Sequence, residues 1–389
     1  MKEIYLDNSA TTPLSQAAKG AIEEAMEIYG NPSSLHSAGQ AAQKIIDRAR
    51  AQVLSGLSVR QRRDGGALVF TSSGTEATSL ALFGTAYAKK RREAKRILTT
   101  DSEHPSVARV MDALAADGFE VIRISTKNGV LDMEGVKAAL DEKIFLASFM
   151  LVNNETGAIY SVGEAFKLIK SRYPDAVTHC DAVQGFMKVR FSPASLSADM
   201  VTVSAHKLHA PKGVGALYIS EPMLKAKKIT PVMLGGGQEK GMRSGTENVI
   251  GIGAFGASVE DINGRRDEIE PRMEELRAYA DERLSSLDLR INRPAGARLA
   301  GIINITLNGI KSETMLHALS ADGIFVSSGS ACSSHSGKAS ESLLAFGLTS
   351  AEADTSLRIS MSEYNTKEDI DALCESLGKN MERLVKIKR

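Results

Sequence analysis

The 389-residue sequence has few cysteines, almost no net charge and no long apolar run. Cys180, Cys332 and Cys374 are too scattered for a disulfide framework or a zinc site, which favours a reducing, cytoplasmic setting. A formal net charge of +1 gives no electrostatic indication of nucleic-acid binding. No run of about 18 apolar residues predicts a membrane span, and the charged first residues lack the apolar core of a signal peptide. The sequence therefore predicts an ordinary globular protein of the cytoplasm.

Short apolar runs alternate with longer amphipathic stretches through the middle of the sequence. The runs predicted as strands are 67–71, 96–100, 120–124, 145–152, 176–180, 200–204 and 215–219. Helical periodicity is found at 35–53, 75–89, 106–116, 133–140, 162–172 and 268–287. The alternation predicts an α/β fold whose mostly parallel sheet is covered by helices on both faces. Because ligands of such sheets bind at the carboxyl ends of the strands, functional residues are expected there.

The pattern changes near the C-terminal end of the sequence. Strand-like runs at 301–307 and 324–327 flank a helical run at 312–321, and a last helix is predicted to begin near Thr366. We therefore expect a large domain over residues 15–260, and a smaller α+β domain that combines 1–14 with 261–389 and carries Cys332.

A turn of small residues follows the predicted strand 67–71. Gly74 and Thr75 lie where the next helix opens, so backbone N–H groups and a hydroxyl could bind a phosphate there. An ordinary helix N-cap would have the same pattern.

The predicted strand at 176–180 leads directly into an acidic residue. Asp181 at this position, with Gln184 three residues on, could keep a pyridine nitrogen protonated. The alternative is a helix cap or a buried hydrogen-bond acceptor, since a buried carboxylate needs a partner.

The strand at 200–204 ends in Ser204, with His206 and Lys207 directly after it. A lysine that is partly desolvated at such a position has a lowered pKa, as a Schiff-base nucleophile requires. Ser204 and His206 could hydrogen-bond a phosphate. No third ligand accompanies His206 and His209, so no metal is predicted.

These strand ends together match the needs of one cofactor, pyridoxal 5'-phosphate (PLP). That molecule requires an anion site, a carboxylate for its ring nitrogen, a lysine and a group over its ring. His104, which precedes Pro105 at a predicted helix start, could stack on the ring.

Two further residues point to chemistry on an amino acid. Cys332 lies among serines and glycines, in a predicted exposed loop from which a thiolate could attack a substrate; an unreactive surface thiol is the alternative. Arg358, in a strand-like run, could bind a substrate carboxylate in bidentate fashion or form a structural ion pair.

With these residues in place, the sequence resembles the cysteine desulfurases of the NifS/IscS type, PLP enzymes of fold type I. The motifs that carry the resemblance are YLDNSATTP, GNPSSLH, EHPSV, VNNETG, HCDAVQ, SAHK, GGGQEKGMRSGTEN, SSGSAC and SLRIS. They extend over nearly the whole sequence, and SSGSAC separates this family from aminotransferases of the same fold.

The resemblance implies a role for each candidate residue. Lys207 would bind the cofactor covalently, His104 would stack on its ring, and either of the two would move protons. Asp181 and Gln184 would contact the ring nitrogen and ring hydroxyl. Gly74, Thr75, Ser204 and His206 would hold the phosphate, and Thr246 would reach the phosphate of a second subunit, which implies a homodimer. Asn154 and Arg358 would bind the substrate, and Asn8 would lie in a segment that lines the site.

The implied reaction converts L-cysteine to L-alanine and leaves the sulfur on Cys332 as a persulfide. The persulfide would pass to an acceptor protein, either an iron–sulfur scaffold or a thiolation enzyme. The alternatives are a selenocysteine lyase or an aminotransferase of the same PLP fold, or a non-catalytic protein that binds partners in sulfur transfer.

Overall fold

The computed structural model describes residues 3–59, 66–88, 94–328 and 339–384. The strands within these ranges, numbered in chain order, are β1 Ile4–Tyr5, β2 Ala67–Thr71, β3 Arg96–Thr100, β4 Glu120–Ile124, β5 Ile144–Met150, β6 Val177–Asp181, β7 Met200–Ser204, β8 Gly215–Ile219, β9 Leu289–Ile291, β10 Ile302–Leu307, β11 Ile324–Phe325 and β12 Ser356–Ser360. The α-helices are α1 Gln16–Met26, α2 Ser37–Gly56, α3 Gly74–Ala86, α4 Pro105–Ala116, α5 Met133–Ala138, α6 Val162–Arg172, α7 Pro193–Leu196, α8 Glu221–Lys225, α9 Val249–Gly264, α10 Arg266–Ser285, α11 Ser312–Ala321, α12 Glu341–Phe346, α13 Ser350–Asp354 and α14 Lys367–Arg383. The predicted α/β alternation is confirmed.

Seven of the described strands form a sheet with the order β2-β8-β7-β6-β5-β3-β4. All neighbours from β7 to β4 pair in parallel, whereas β8 runs antiparallel to both β2 and β7. The prediction of a mostly parallel sheet is therefore confirmed. Because β2, β3, β5, β6 and β7 point the same way, their carboxyl ends meet at one edge of the sheet.

The predicted bounds differ from the observed ones at a few ends. β5 ends at Met150 instead of 152, and β6 extends to Asp181, one residue beyond the prediction. α2 begins at Ser37 instead of 35, because the His36 side chain accepts a hydrogen bond from the Gly39 N–H and caps the helix. Hydrophobic periodicity locates an element, whereas its ends depend on caps and on neighbouring strands.

Helices cover both faces of the large sheet. On one face, Leu80 of α3 and Met111 of α4 pack in the same cluster as Leu146 of β5. On the other, Val53 of α2 and Phe255 of α9 belong to a second cluster beneath the strands. This double cover removes apolar area from water on both faces, which is the main favourable contribution to folding. No helix in the described ranges is both long and apolar enough to cross a membrane.

The C-terminal elements surround a smaller antiparallel sheet, β12-β10-β9, and the parallel pair β1-β11. Leu6, beside β1, packs in one cluster with Leu276 of α10 and Leu377 of α14. Thr366 and Asp369 form a capping box at the start of α14. The division of the chain between residues 260 and 261 stays a prediction, and α9 runs across that point.

Candidate active site

A cavity of about 240 Å³ lies at the edge of the large sheet where the parallel strands end. The sequence-predicted site residues that line it are Gly74, Thr75, His104, Asn154, Asp181, Gln184, Ser204, His206, Lys207 and Arg358. They come from five different strand ends and from β12, so folding alone brings them together. Ser9, Ala10, Ser73 and Val183 also line it. Ser73 belongs to the turn of small residues predicted as an anion site, and Ala10 belongs to the segment that the resemblance places along the site.

Lys207 ends a short 3-10 turn, Ala205–Lys207, directly after β7. Its Nζ donates hydrogen bonds to the backbone carbonyl of Ala10, at 2.8 Å, and to that of Ser9. The pKa of Lys207 is lowered to about 7, mainly by burial and in part by the positive charges of Arg358 and Lys188. Near neutral pH a large share of this lysine is therefore an unprotonated amine, the form that acts as a nucleophile or base.

Asp181 is the last residue of β6, and its side chain lines the cavity from below the strand ends. The Val183 N–H donates to its Oδ1 at 3.0 Å. Burial raises the pKa of Asp181 to about 6, against the opposing effects of this hydrogen bond and of Lys207. A buried carboxylate of this kind gains most from a cationic partner in the cavity.

His104 is the N-cap of α4, ahead of Pro105 at the first helical position. Its Nδ1 accepts the Ser106 backbone N–H at 3.1 Å, so the neutral ring carries its proton on Nε2. Burial lowers the pKa of His104 to about 4, and the nearby Lys207 contributes in the same direction. The imidazole is therefore neutral at physiological pH and is held rigidly at the cavity wall.

One end of the cavity lies at the start of α3. A Cβ added to Gly74 would come within 3.0 Å of Val183 Cγ2 and 3.4 Å of Ser204 Cβ, so only glycine fits this approach without a shift. Ser73 caps the helix by accepting the Glu76 N–H at 3.1 Å. The free N–H groups of the first turn, together with nearby hydroxyls, form a site suited to an anion.

His206 also lines this end of the cavity. Burial lowers the pKa of His206 to about 4, and neighbouring lysines, Lys207 first, add to the effect. Its Nδ1 lies 3.3 Å from Thr11 Oγ1. A neutral imidazole can donate one hydrogen bond to a ligand oxygen without adding charge.

Arg358 lies in β12 and is only 2% exposed. Its Nη2 contacts Asp7 Oδ1 at 2.8 Å, and its Nη1 donates to the Asn154 carbonyl at 3.1 Å. Its Nε has no hydrogen-bond partner among the described residues. Arg358 therefore has both an ion-pair partner and an unused donor beside the cavity.

The two asparagines of the VNNE motif have separate surroundings. Asn153 Oδ1 accepts the N–H groups of Glu155 and Thr156, at 3.0 and 2.9 Å, and thereby holds the turn together. Asn154 lines the cavity instead. The sequence-based choice of Asn154 as the candidate for ligand contact therefore agrees with its position.

Two predicted site residues, Asn8 and Thr246, are not part of this cavity lining. Asn8 donates to the Ser360 carbonyl at 2.9 Å and lines a neighbouring cavity, so the structure does not place it in this one. Thr246 is exposed and is not part of the cavity lining. Cys332 lies outside the described residues.

Comparisons with known proteins agree with this arrangement. A model of the aminotransferase class-V family matches residues 4–373. A cysteine desulfurase of Trichormus azollae is 36% identical over 388 residues, which cover 99% of this chain and 94% of that protein. A NifS-like protein of known structure has a TM-score of 0.90 at 32% identity and covers 98% of this chain and 100% of its own.

A third comparison concerns a bound amino acid. A solved structure of SspA in complex with cysteine has a TM-score of 0.80 at 27% identity, over 93% of this chain and 100% of that one. Family match, overall identity and fold all point the same way. This chain therefore belongs to the class-V aminotransferase family, and within it to the cysteine desulfurases of the NifS/IscS type.

Proposed function

We propose that this protein is a PLP-dependent cysteine desulfurase that converts L-cysteine to L-alanine and retains the sulfur on Cys332. One observation carries the proposal: a single cavity gathers a lysine, a carboxylate, an imidazole and a guanidinium, from Lys207, Asp181, His104 and Arg358. Membership of the family supports the same activity.

The residues that line the cavity suit PLP at both of its ends. Gly74, Thr75, Ser204 and His206 would hold the phosphate where α3 begins. Asp181 would pair with the pyridine nitrogen, which supplies the cation that its buried carboxylate lacks. The Oε1 of Gln184 is buried without a hydrogen-bond partner in the described part of the chain and would accept from the ring hydroxyl. When bound, the cofactor acts as an electron sink for the substrate carbon.

Lys207 and His104 handle protons in this proposal. A pKa of about 7 lets Lys207 take a proton from the substrate Cα and return one during a single turnover at neutral pH. His104, neutral at that pH, would stack on the ring and exchange a proton with the substrate.

Arg358 would bind the carboxylate of L-cysteine. Arg358 lines the cavity beside Asn154, and a guanidinium binds a carboxylate strongly. Asp7, already paired with Arg358, fixes the orientation of the guanidinium before the substrate arrives. Asn154 would add a polar contact to the same substrate.

Cys332 is within reach of this cavity by chain length. Ser327 exchanges two backbone hydrogen bonds with Arg358, at 3.1 and 2.7 Å. Cys332 follows five residues later. Five residues of extended chain span up to about 17 Å. In the transfer step, the Cys332 thiolate forms an S–S bond with the substrate sulfur while the Cβ–S bond breaks. The released electron pair stays on the carbon skeleton, which is protonated and leaves as alanine.

A homodimer is part of the proposal. Thr246 is exposed and lies outside the cavity of its own subunit, so a phosphate contact from it requires a second copy of the chain. Val232, Met233 and Leu234 form an exposed apolar run, with 50, 46 and 81% of their surface accessible. Apolar surface of this kind is typical of an interface between subunits.

The persulfide would pass to an acceptor protein, either an iron–sulfur scaffold or a thiolation enzyme. Such a transfer needs a reducing compartment, so we place the protein in the cytoplasm. Cys180 and Cys374 are free and buried, which suits that setting.

The test is the release of alanine from L-cysteine by purified, PLP-loaded protein with a reductant, for wild type and Cys332→Ala. Alanine from wild type and almost none from the variant supports a desulfurase that acts through Cys332. Cys180→Ala is the matched control and should retain activity, because that thiol is buried in β6. Equal alanine from wild type and Cys332→Ala would contradict the persulfide step.

A further inference from the structure

A second, larger cavity of about 370 Å³ lies next to the active-site cavity. Ser9 and Lys207 line both of them. The second cavity is bounded by one face of α10, by residues 187–190 and by residues 298–302. Its walls are largely apolar, with Met187, Val189 and Met273 among them. Its volume is within the range of small-molecule sites in proteins.

The charges around this cavity are not balanced. Each of the three carboxylates that line it already has an arginine within ion-pair distance: Glu270 has Arg190 at 2.8 Å and Arg266 at 2.7 Å, Glu274 has Arg298 at 3.3 Å, and Glu363 has Arg265 at 3.8 Å.

Lys188 is a lining residue whose charge has no carboxylate partner. Its Nζ makes no hydrogen bond or ion pair among the described residues, and Glu363 attracts it only at longer range. Unpaired buried donors of positive charge are rare, since burial of an uncompensated charge is costly.

We propose that this cavity binds a small organic monoanion, a carboxylate with an apolar body, through Lys188. The apolar walls give the body of such a ligand a place out of water, which an inorganic anion would not use. The three carboxylates at the cavity oppose a dianion. No step of the proposed desulfuration requires this ligand.

The position of the cavity gives the ligand a route to influence the active site. The positive charge of Lys188 is one of the causes that lower the pKa of Lys207. A carboxylate bound to Lys188 offsets that charge and raises the pKa of Lys207. Lys188 itself stays mostly protonated at pH 7, because burial lowers its pKa only to about 8.

Titration calorimetry of the PLP-loaded protein at pH 7 with hexanoate tests the proposal. We expect saturable binding of one hexanoate per chain, and a dissociation constant about tenfold or more higher in Lys188→Met, since a charge-assisted hydrogen bond is lost. Methionine keeps the apolar stem of the lysine. Lys225→Met is the matched control, because Lys225 is 72% exposed and paired with Glu221 on α8. It should bind hexanoate as wild type does.

A comparison on wild type alone keeps the test decisive if Lys188→Met does not fold. Methyl hexanoate, which has the apolar body without the charge, should bind at least about tenfold more weakly than hexanoate. Equal affinities for the two, or no saturable binding of hexanoate, would overturn the proposal. Binding that persists unchanged in Lys188→Met would also overturn it and would assign the heat to Arg358 in the active site. Alanine release, measured separately, reports on the desulfurase activity alone.

Discussion

At the level of single residues, the active-site cavity contains ionisable groups whose pKa values burial has shifted from their usual range. The pKa of Lys207 is lowered to about 7, that of His104 is lowered to about 4 and that of Asp181 is raised to about 6. Each of these displacements opposes folding of the cofactor-free chain. They are the arrangement expected of a site whose stability is completed by a ligand.

Replacement of Asp181 by Asn should stabilise the cofactor-free protein. The pKa of Asp181 rises from 3.8 to about 6 on folding, so the Asp181 carboxyl loses its proton at a lower pH in the unfolded chain than in the folded protein. The resulting penalty is absent below about pH 4, grows as pH rises towards 6 and is constant above that, on the order of 2–3 kcal/mol. In urea unfolding at pH 8, the free energy of unfolding of Asp181→Asn should therefore exceed that of wild type by about that amount. At pH 5 the difference should be smaller.

The control for this prediction is Asp199→Asn. Asp199 accepts hydrogen bonds from Lys170 Nζ at 2.6 Å and from the Thr178 N–H at 3.0 Å, so loss of its charge should destabilise the protein. Asp181→Asn should at the same time lose desulfurase activity. If Asp181→Asn unfolds at a lower urea concentration than wild type at pH 8, burial of the Asp181 carboxylate does not destabilise the folded protein.

Substitution of Gly74 by alanine should weaken PLP binding. A Cβ there would lie 3.0 Å from Val183 Cγ2, at the end of the cavity assigned to the phosphate. Overpacking of this size costs about 1–3 kcal/mol, so the dissociation constant of PLP should rise about tenfold or more. Absorbance titration of the cofactor-free protein with PLP measures it. Gly20→Ala in α1, where nothing lies within 4 Å of the added Cβ, should bind PLP normally.

The individual site residues could be predicted from sequence when they occupy strand ends. Asp181 and Lys207 directly follow apolar runs. A carboxylate and a lysine at neighbouring strand ends indicated PLP as the cofactor. Lys188 could not be singled out in this way, because its isolation depends on which cations pair with Glu270 and Glu363 far along the chain. Asn8 was expected in the site, but its amide is bound to Ser360 in the neighbouring strand.

At the level of elements, the short helix α12 is tied to the active-site wall by its N-cap. Ser340 Oγ lies 2.8 Å from both carboxylate oxygens of Glu155, and its side chain accepts the Leu343 N–H at 3.3 Å. Burial raises the pKa of Glu155. Ser340, which follows the residues 329–338 closely in the chain, is therefore held through Glu155 beside Asn154 and Arg358.

Removal of this cap should affect both stability and activity. Ser340→Ala leaves the Glu155 carboxylate without its hydroxyl donor, and we expect a loss of about 2 kcal/mol in the free energy of unfolding. It should also slow alanine release, because the segment that carries Cys332 loses its anchor.

Thr349→Ala is the matched variant for this comparison. It removes the capping box of α13, away from the cavity, and should cost about 1 kcal/mol without a change in rate. Denaturant unfolding and alanine release on both variants measure the difference. Equal rates in the two variants would show that the Ser340 anchor is not needed for sulfur transfer.

Elements were easier to predict than their ends. Five strands of the large sheet match the predicted ranges residue for residue, since each is a short apolar run between polar turns. The antiparallel direction of β8 did not follow from periodicity, which carries no information on strand direction. It depends on the connection from β7 through the turn at Lys207.

At the level of the whole molecule, the proposed dimer makes a prediction about subunit association. Leu234 is 81% exposed in the run 232–234, so Leu234→Asp should place a charge in the interface. We expect this variant to sediment as a monomer and to bind PLP more weakly, because Thr246 of the partner subunit no longer reaches the phosphate.

Val130→Asp is the control, since Val130 is 45% exposed but lies outside that run. It should remain a dimer with normal affinity for PLP. Analytical ultracentrifugation of both variants, with and without PLP, decides the point. A wild-type protein that sediments as a monomer would contradict the proposed homodimer directly.

The contacts of the segment 4–10 have a consequence for how the protein is made. Ile4 pairs with Ile324, Asp7 with Arg358, and the carbonyls of Ser9 and Ala10 hold Lys207. Asp7 and Arg358 are 351 residues apart, so Asp7 lacks its ion-pair partner through most of translation, whereas Lys207 is synthesised about midway. The large sheet can form on the ribosome, but the wall of the active site closes only once Arg358 has been synthesised. A prematurely terminated chain would therefore be unable to consume cysteine, and catalytic competence itself becomes a check that synthesis has passed this point.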